Sequence, residues 1–148
     1  MRFVFDLEGN GLREEISKVW CIVIKDIDTN TIHTYGPEEY GIKSGIEDLG
    51  RADLLIGHNI ISYDLSVLLS LYNFEFKGEV YDTLVTSRLL YPDRTGGHSL
   101  AAWGSMLGRK KPEHDEWDHF SEEMMHRCKE DVEINHLVYL ELERERGR

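Results

Sequence analysis

Apolar side chains at successive positions mark the first strands of the chain. Residues 2–7 and 19–27 both show this pattern, which is typical of strands that are buried on both faces. The turn segment DTNT at 28–31 separates the second run from a third, IHTY at 32–35. These three runs in sequence predict a three-stranded meander.

The following residues are predicted to add one strand and several helices. An acidic stretch at 44–49 favours a helix, and LLIGHN at 54–59 favours a further buried strand. Three later segments carry helical signals: a stripe of Leu65, Leu68, Leu69 and Tyr72, a helix capped by Asp82 that runs through Leu90 before Pro92, and a helix capped by Ser99. A polar loop at 109–120 leads to a last helix from Ser121 to about Glu145.

The bulk composition is that of a globular domain. The chain has 148 residues, of which 41% are hydrophobic and 30% are charged, with only three prolines. We therefore expect a single domain over 1–148 of the α/β class, with a mixed sheet flanked by helices.

The charge and the cysteines narrow the functional classes. A net charge of −11 argues against a protein that coats nucleic acid through bulk electrostatics, so any such activity must be local. No apolar run approaches the roughly 20 residues that span a bilayer, so we expect no membrane contact. Cys21 and Cys128 form no CxxC pair, and we expect them to be reduced packing residues of a cytoplasmic protein.

The segment DLEGNG at 6–11 is the first candidate for chemistry. Asp6 and Glu8 lie two residues apart on a predicted strand, so their side chains share one face about 6.6 Å apart along the strand. Two desolvated carboxylates repel each other unless a cation lies between them. The alternative is that both acids simply begin a surface loop.

Two further acids are ambiguous on their own. Asp64 falls in the first turn of a predicted helix, where the helix dipole favours a carboxylate in any case. Asn59, just before it, has an ordinary role in turns. Asp131 lies inside the last helix, and that stretch in isolation favours a side chain facing solvent.

Together, these segments resemble the DEDD superfamily of 3′-to-5′ exonucleases, which share a ribonuclease H-like fold. The three motifs appear in order as Asp6-Leu7-Glu8, then Asn59 through Tyr63-Asp64, then His126 through Asp131. The segments at 81–92, 98–108 and 122–134 look like the proofreading domain of bacteriophage family A DNA polymerases. The resemblance covers nearly the whole chain.

The resemblance implies hydrolysis of phosphodiester bonds with two divalent cations, Mg²⁺ or Mn²⁺. The implied metal ligands are Asp6, Glu8, Asp64 and Asp131, of which Asp6 would bridge both ions. Leu7, Asn59 and Tyr63 would contact the terminal nucleotide. The implied partner is the 3′ end of single-stranded DNA, with a DNA polymerase acting in trans as a further partner.

One position departs from the motif of the polymerase branch. A tyrosine is expected four residues before the last aspartate, and this chain has Arg127 there, while His126 has the spacing of the histidine branch. An imidazole can accept a proton near neutral pH, so we predict that His126 is the catalytic general base. One helical step rotates a side chain by about 100°, so His126 and Arg127 cannot both face the metals. Arg127 would then bind a phosphate of the substrate.

Other functions and other residues stay open at this point. An RNA exonuclease of the oligoribonuclease kind would use the same carboxylates, and an inactive binding module would keep only the fold. Trp117 is a candidate for stacking on a base. Trp20 and Trp103 are expected in the core. A basic patch of Arg109, Lys110 and Lys111 is more typical of solvated surface, and His114 and His119 lack cysteine partners for zinc.

Overall fold

The protein is an α/β fold around one mixed sheet. The computed structural model describes residues 1–12, 14–110, 112 and 116–147; Lys111 and His114, considered above, lie outside them. The elements follow in the order β1 Arg2–Gly9, β2 Val19–Asp26, β3 Thr31–Tyr35, α1 Gly41–Leu49, β4 Leu54–Gly57, α2 Asp64–Tyr72, β5 Glu79–Asp82, α3 Thr83–Leu90, α4 Leu100–Met106 and α5 Glu122–Arg146.

The five described strands have the order β3-β2-β1-β4-β5. The meander of β1, β2 and β3 is antiparallel, and β4 and β5 add in parallel on the other side of β1. The sequence predicted the meander and β4 but missed β5. The sequence pattern of β5 is weak, since it is four residues long and Glu79 and Val80 are exposed.

Alternation along β1 divides the core between the two faces of the sheet. Phe3, Phe5 and Leu7 pack with residues of α2 on one face. Val4 lies on the other face and packs against Cys128 of α5. Because Asp6 and Glu8 continue the series begun by Val4, their side chains point toward α5.

The predicted helix caps are confirmed. The side chains of Asp82, Ser99 and Ser121 each accept a hydrogen bond from a backbone N–H in the first turn of the helix that follows. The stripe predicted for α2 is partly wrong, because Leu68 is buried whereas Leu69 is 49% exposed. Among the described residues, no helix is both long enough and apolar enough to cross a bilayer.

Candidate active site

Asp6 and Glu8 lie where β1 extends beyond its parallel neighbour. The pairing of β1 with β4 ends at Val4, so both acids lie past the end of that ladder, at the edge where open α/β sheets bind ligands. The pairing with β2 becomes irregular between Glu8 and Gly9. A Cβ atom at Gly9 would lie 2.9 Å from the carbonyl oxygen of Lys18, so the turn that follows Glu8 needs a glycine.

Asp64 reaches β1 from the first turn of α2. The residue is 3% exposed, and its Oδ2 accepts a hydrogen bond of 3.3 Å from the backbone N–H of Leu7. The turn before it requires a left-handed residue at Asn59, whose φ is 63°, and asparagine tolerates that conformation better than most residues. The side chain of Asn59 is exposed at the same edge.

Asp131 approaches the same place from α5. It is 4% exposed and lines a cavity of about 510 Å³ together with Asp6, Glu8 and Asp64. The interpretation of Asp131 as a solvent-facing helix charge is therefore wrong. Three separate elements bring four acids to one cavity.

Burial and mutual repulsion raise the pKa of two of these carboxylates, Glu8 and Asp64. Burial, and then the charge of Asp6, raise the pKa of Asp64 well above its ordinary value. Burial and the charge of Asp131 raise the pKa of Glu8 to about 8, against the opposing effect of Arg127. A bound divalent cation would relieve both effects, and oxygen donors suit Mg²⁺ or Mn²⁺. The residues present therefore fit such a cation.

Arg127 points into this cavity. Its guanidinium carbon lies 4.6 Å from the ring centroid of Trp117, which also lines the cavity. Its Nε and Nη1 are buried and have no hydrogen-bond partner among the described residues. This arrangement leaves fixed donors at the edge of the carboxylate cluster.

The structure does not bring His126 into the cluster. The side chain is exposed and lines neither of the two cavities that meet at Asp6. The physical reason is the helical step, because Arg127 takes the inward direction and turns its neighbour toward solvent. The sequence pattern could not decide between the two directions.

The predicted nucleotide contacts line the cavity. Leu7, Asn59 and Tyr63 all contribute to its wall. The hydroxyl of Tyr63 donates a hydrogen bond of 2.8 Å to the carbonyl oxygen of Gly11, and burial raises the pKa of Tyr63 to about 12. Tyr63 is therefore a neutral residue held against the glycine-rich turn.

Asp82 has a positioning role that the sequence did not reveal. Beyond capping α3, its carboxylate accepts hydrogen bonds from the backbone N–H groups of Asn59 (2.9 Å) and Ile61 (3.1 Å). The same side chain thus fixes the turn that presents Asn59 and Asp64. Only its spacing as a helix cap was visible in the sequence.

Other residues singled out by the sequence lie in the core, beside the cavity or away from it. Cys21 and Cys128 are free and buried, as expected, and the sulfur of Cys128 lies 3.5 Å from Oδ2 of Asp6. Trp103 is core, at 1% exposure, and Trp20 is partly buried. Trp117 packs on Arg127, and its carbonyl oxygen accepts a bond of 2.8 Å from Nε1 of Trp20. Arg109 forms an ion pair of 2.9 Å with Glu130 and lines neither cavity at Asp6.

Sequence comparison relates the chain to phage polymerases. No protein-family profile matches it. It is 29% identical over 175 residues to the DNA-directed DNA polymerases of Enterobacteria phage T3 and Escherichia phage T7, with 88% of this chain aligned. The chain spans about a quarter of the length of these relatives (25%).

Comparison with solved structures relates the fold to nucleases. NrnC of Brucella melitensis superposes with a TM-score of 0.72 at 19% identity, covering 97% of this chain and 72% of that one, and its structures include one with bound pGG and one with bound Mg²⁺. RNase D of Escherichia coli, an exoribonuclease involved in structured RNA processing, gives a TM-score of 0.71 at 15% identity, over 97% of this chain and 39% of that one. The predicted ribonuclease H-like fold of 3′-to-5′ exonucleases is confirmed.

Proposed function

We propose that this chain, which has the fold of enzymes that hydrolyse phosphodiester bonds, removes nucleotides from the 3′ end of single-stranded DNA with two divalent cations. The convergence of four buried or half-buried carboxylates from β1, α2 and α5 at one cavity carries the proposal. The proposed metal ligands are Asp6, Glu8, Asp64 and Asp131.

Bound cations would supply the attacking water and stabilise the charge that develops during an in-line displacement. Water attacks the phosphorus of the last phosphodiester and loses a proton to solvent. The bond to the 3′ oxygen of the preceding nucleotide breaks, that oxygen takes up a proton as a 3′ hydroxyl, and a nucleoside 5′-monophosphate leaves. Asp6 and Asp131 lie where the two adjoining cavities meet, since each of them lines both. Asp64 is fixed by the N–H of Leu7 and therefore needs no rearrangement to act as a ligand.

Arg127 takes the place of a titrating side chain in this proposal. Its side chain lines the cavity, and a guanidinium is not deprotonated in proteins. Arg127 therefore binds a non-bridging oxygen of the scissile phosphate, with Trp117 holding the guanidinium plane. His126 has no role in proton transfer here, because its side chain faces away from the cavity.

The nucleotide that leaves would occupy the larger cavity. Leu7, Asn59 and Tyr63 would contact its sugar and base, in a space lined by both apolar and polar groups. We extend the proposal to proofreading, with a DNA polymerase as partner, because the chain aligns with one quarter of two phage DNA polymerases.

RNA is the second candidate substrate. The similarity to NrnC and RNase D favours it, and the four carboxylates do not discriminate between the two backbones. DNA and RNA oligonucleotides of one sequence, labelled at the 5′ end and incubated with Mg²⁺, separate the two proposals. A ladder that shortens from the 3′ end with DNA alone supports the first, and faster shortening of RNA supports the second.

A further inference from the structure

A second cavity adjoins the larger one at Asp6 and Asp131. It has a volume of about 390 Å³, and both aspartates, together with His58 and Asn59, line it as well as the first cavity. The two spaces therefore meet at the carboxylates.

The wall of the second cavity is held by buried hydrogen bonds. The hydroxyl of Thr83 donates to the carbonyl oxygen of Gly57 (3.2 Å), and Nδ2 of Asn135 donates to Thr83 (2.9 Å). His58 contacts the Thr83 hydroxyl through Nδ1 (2.8 Å) and the His98 carbonyl through Nε2 (2.8 Å). These bonds tie α3, α5 and the segment before α4 to the end of β4, so the cavity is preformed.

A second set of bonds fixes His98. Its Nδ1 lies 2.7 Å from the hydroxyl of Ser87, which also accepts a hydrogen bond of 3.1 Å from Nε1 of Trp103. Its Nε2 lies 3.0 Å from the carbonyl oxygen of Pro92. Both ring nitrogens of His98, like those of His58, are thus committed to the scaffold.

Arg88 contributes a positive charge to the wall of this cavity. It lies in the last turn of α3, is exposed, and makes no ion pair or hydrogen bond with any residue in the described ranges. Among the residues that the structure describes, six other arginines form ion pairs: Arg2, Arg51, Arg94, Arg109, Arg144 and Arg146. In a chain of net charge −11, this charge beside a cluster of acids is suited to an anion that enters from solvent.

We propose that the second cavity binds the strand on the 5′ side of the scissile bond, with Arg88 contacting the next phosphate. The inference rests on the proposed function, which places the scissile phosphate at Asp6 and Asp131. When the last nucleoside of a strand occupies the larger cavity, the rest of the strand must lead away from Asp6 and Asp131. The second cavity provides a polar path for it, with the unpaired guanidinium of Arg88. Contacts to phosphate position a strand without reading its sequence.

Two substrates separate this contact from the chemical step. The p-nitrophenyl ester of thymidine 5′-phosphate has a phosphodiester that can be cleaved but no further nucleotide. A pentanucleotide has a cleavable phosphodiester and also further nucleotides on its 5′ side. We expect Arg88→Ala to lower the ratio of kcat/KM for the pentanucleotide to that for the ester by about tenfold. Arg51→Ala removes an exposed arginine that is paired with Asp48 on another face, and should leave the ratio unchanged.

Binding gives an independent measurement. Binding is measured with Ca²⁺ and with an oligonucleotide that a gel shows to be intact. The slope of log Kd against the logarithm of the salt concentration should be smaller by about 0.7 in Arg88→Ala, as expected for one lost phosphate contact with a single strand. An unchanged ratio and an unchanged salt slope would overturn the inference. A parent protein that cleaves neither substrate would overturn the proposed function, while the salt slope would still decide whether Arg88 contacts the strand.

Discussion

Arg127 lies over Trp117, with its guanidinium carbon 4.6 Å from the ring centroid, and lines the larger cavity, where its charge opposes the rise in the pKa of Glu8. The pair gives the site a permanent positive charge at a position where the resemblance leads one to expect a tyrosine. The contribution of Arg127 to catalysis can be measured separately from that of the adjacent His126.

We predict that Arg127→Ala lowers the single-turnover rate on a 5′-labelled oligonucleotide by about 10- to 100-fold, because a charged hydrogen bond to the scissile phosphate is lost. Arg127→Lys should recover part of the rate, since it keeps the charge without the planar donors. The matched control is His126→Ala, which should change the rate less than about twofold. A large loss in His126→Ala with little loss in Arg127→Ala would instead support the histidine as the base.

Acid repulsion predicts how the stability of the metal-free protein depends on pH. The pKa of Glu8 is about 8 in the folded protein, against an ordinary value of 4.5. The folded state therefore binds a proton that the unfolded state has released, and stability falls as pH rises from about 4.5 to about 8. Asp64 is shifted in the same direction.

Urea denaturation with chelator present measures this fall. The midpoint should decrease between about pH 5 and pH 8, and the decrease should be smaller in Glu8→Gln, which cannot ionise. A midpoint independent of pH in the parent protein would show that these carboxyls are not perturbed.

Metal binding should reverse the loss of stability that repulsion between these carboxylates causes at high pH. We expect millimolar Mg²⁺ or Mn²⁺ to raise the melting temperature of the parent at pH 8, because a ligand that binds only the folded state stabilises it. Asp6→Asn should lose most of the increase. A Glu75→Gln variant, which removes an exposed acid paired with Lys77 far from the site, should retain it.

The sequence predicted those parts of the fold that depend on local pattern. The two-residue period of β1 placed Asp6 and Glu8 on one face, and single capping residues located the starts of α3, α4 and α5. The pattern could not reveal β5, because an edge strand of four residues has too little alternation to recognise.

Contacts between residues that lie far apart in the sequence could not be predicted either. Hydrogen bonds from Asn59 and Ile61 to Asp82 join residues more than twenty positions apart, and no sequence spacing indicates them. The choice between His126 and Arg127 depends on the rotation of α5 about its own axis, which the packing of Cys128 and Val132 against β1 and β2 decides.

Asp82→Asn tests whether that carboxylate positions the site. We expect a loss of about 2 kcal/mol of stability, since the hydrogen bonds to this side chain lose their charge and an amide nitrogen cannot accept the bond that Oδ2 accepts from the N–H of Ile61. The rate should fall at saturating Mg²⁺ as well, because the turn that carries Asn59 and Asp64 is less fixed. Ser121→Ala removes the cap of α5 and should cost about 1 kcal/mol without a comparable loss of rate. Equal loss of stability in the two variants with no loss of rate in either would contradict the positioning role.

The most direct test of the central claim is the degradation of a 5′-labelled single-stranded oligonucleotide with Mg²⁺, comparing the parent with Asp6→Asn and Asp131→Asn. The parent should shorten the strand from its 3′ end one nucleotide at a time and release nucleoside 5′-monophosphates, and either substitution or a chelator should abolish the ladder. An intact strand with the folded, metal-loaded parent, or a ladder that persists in Asp6→Asn, would contradict the assignment of the carboxylate cluster as an exonuclease site.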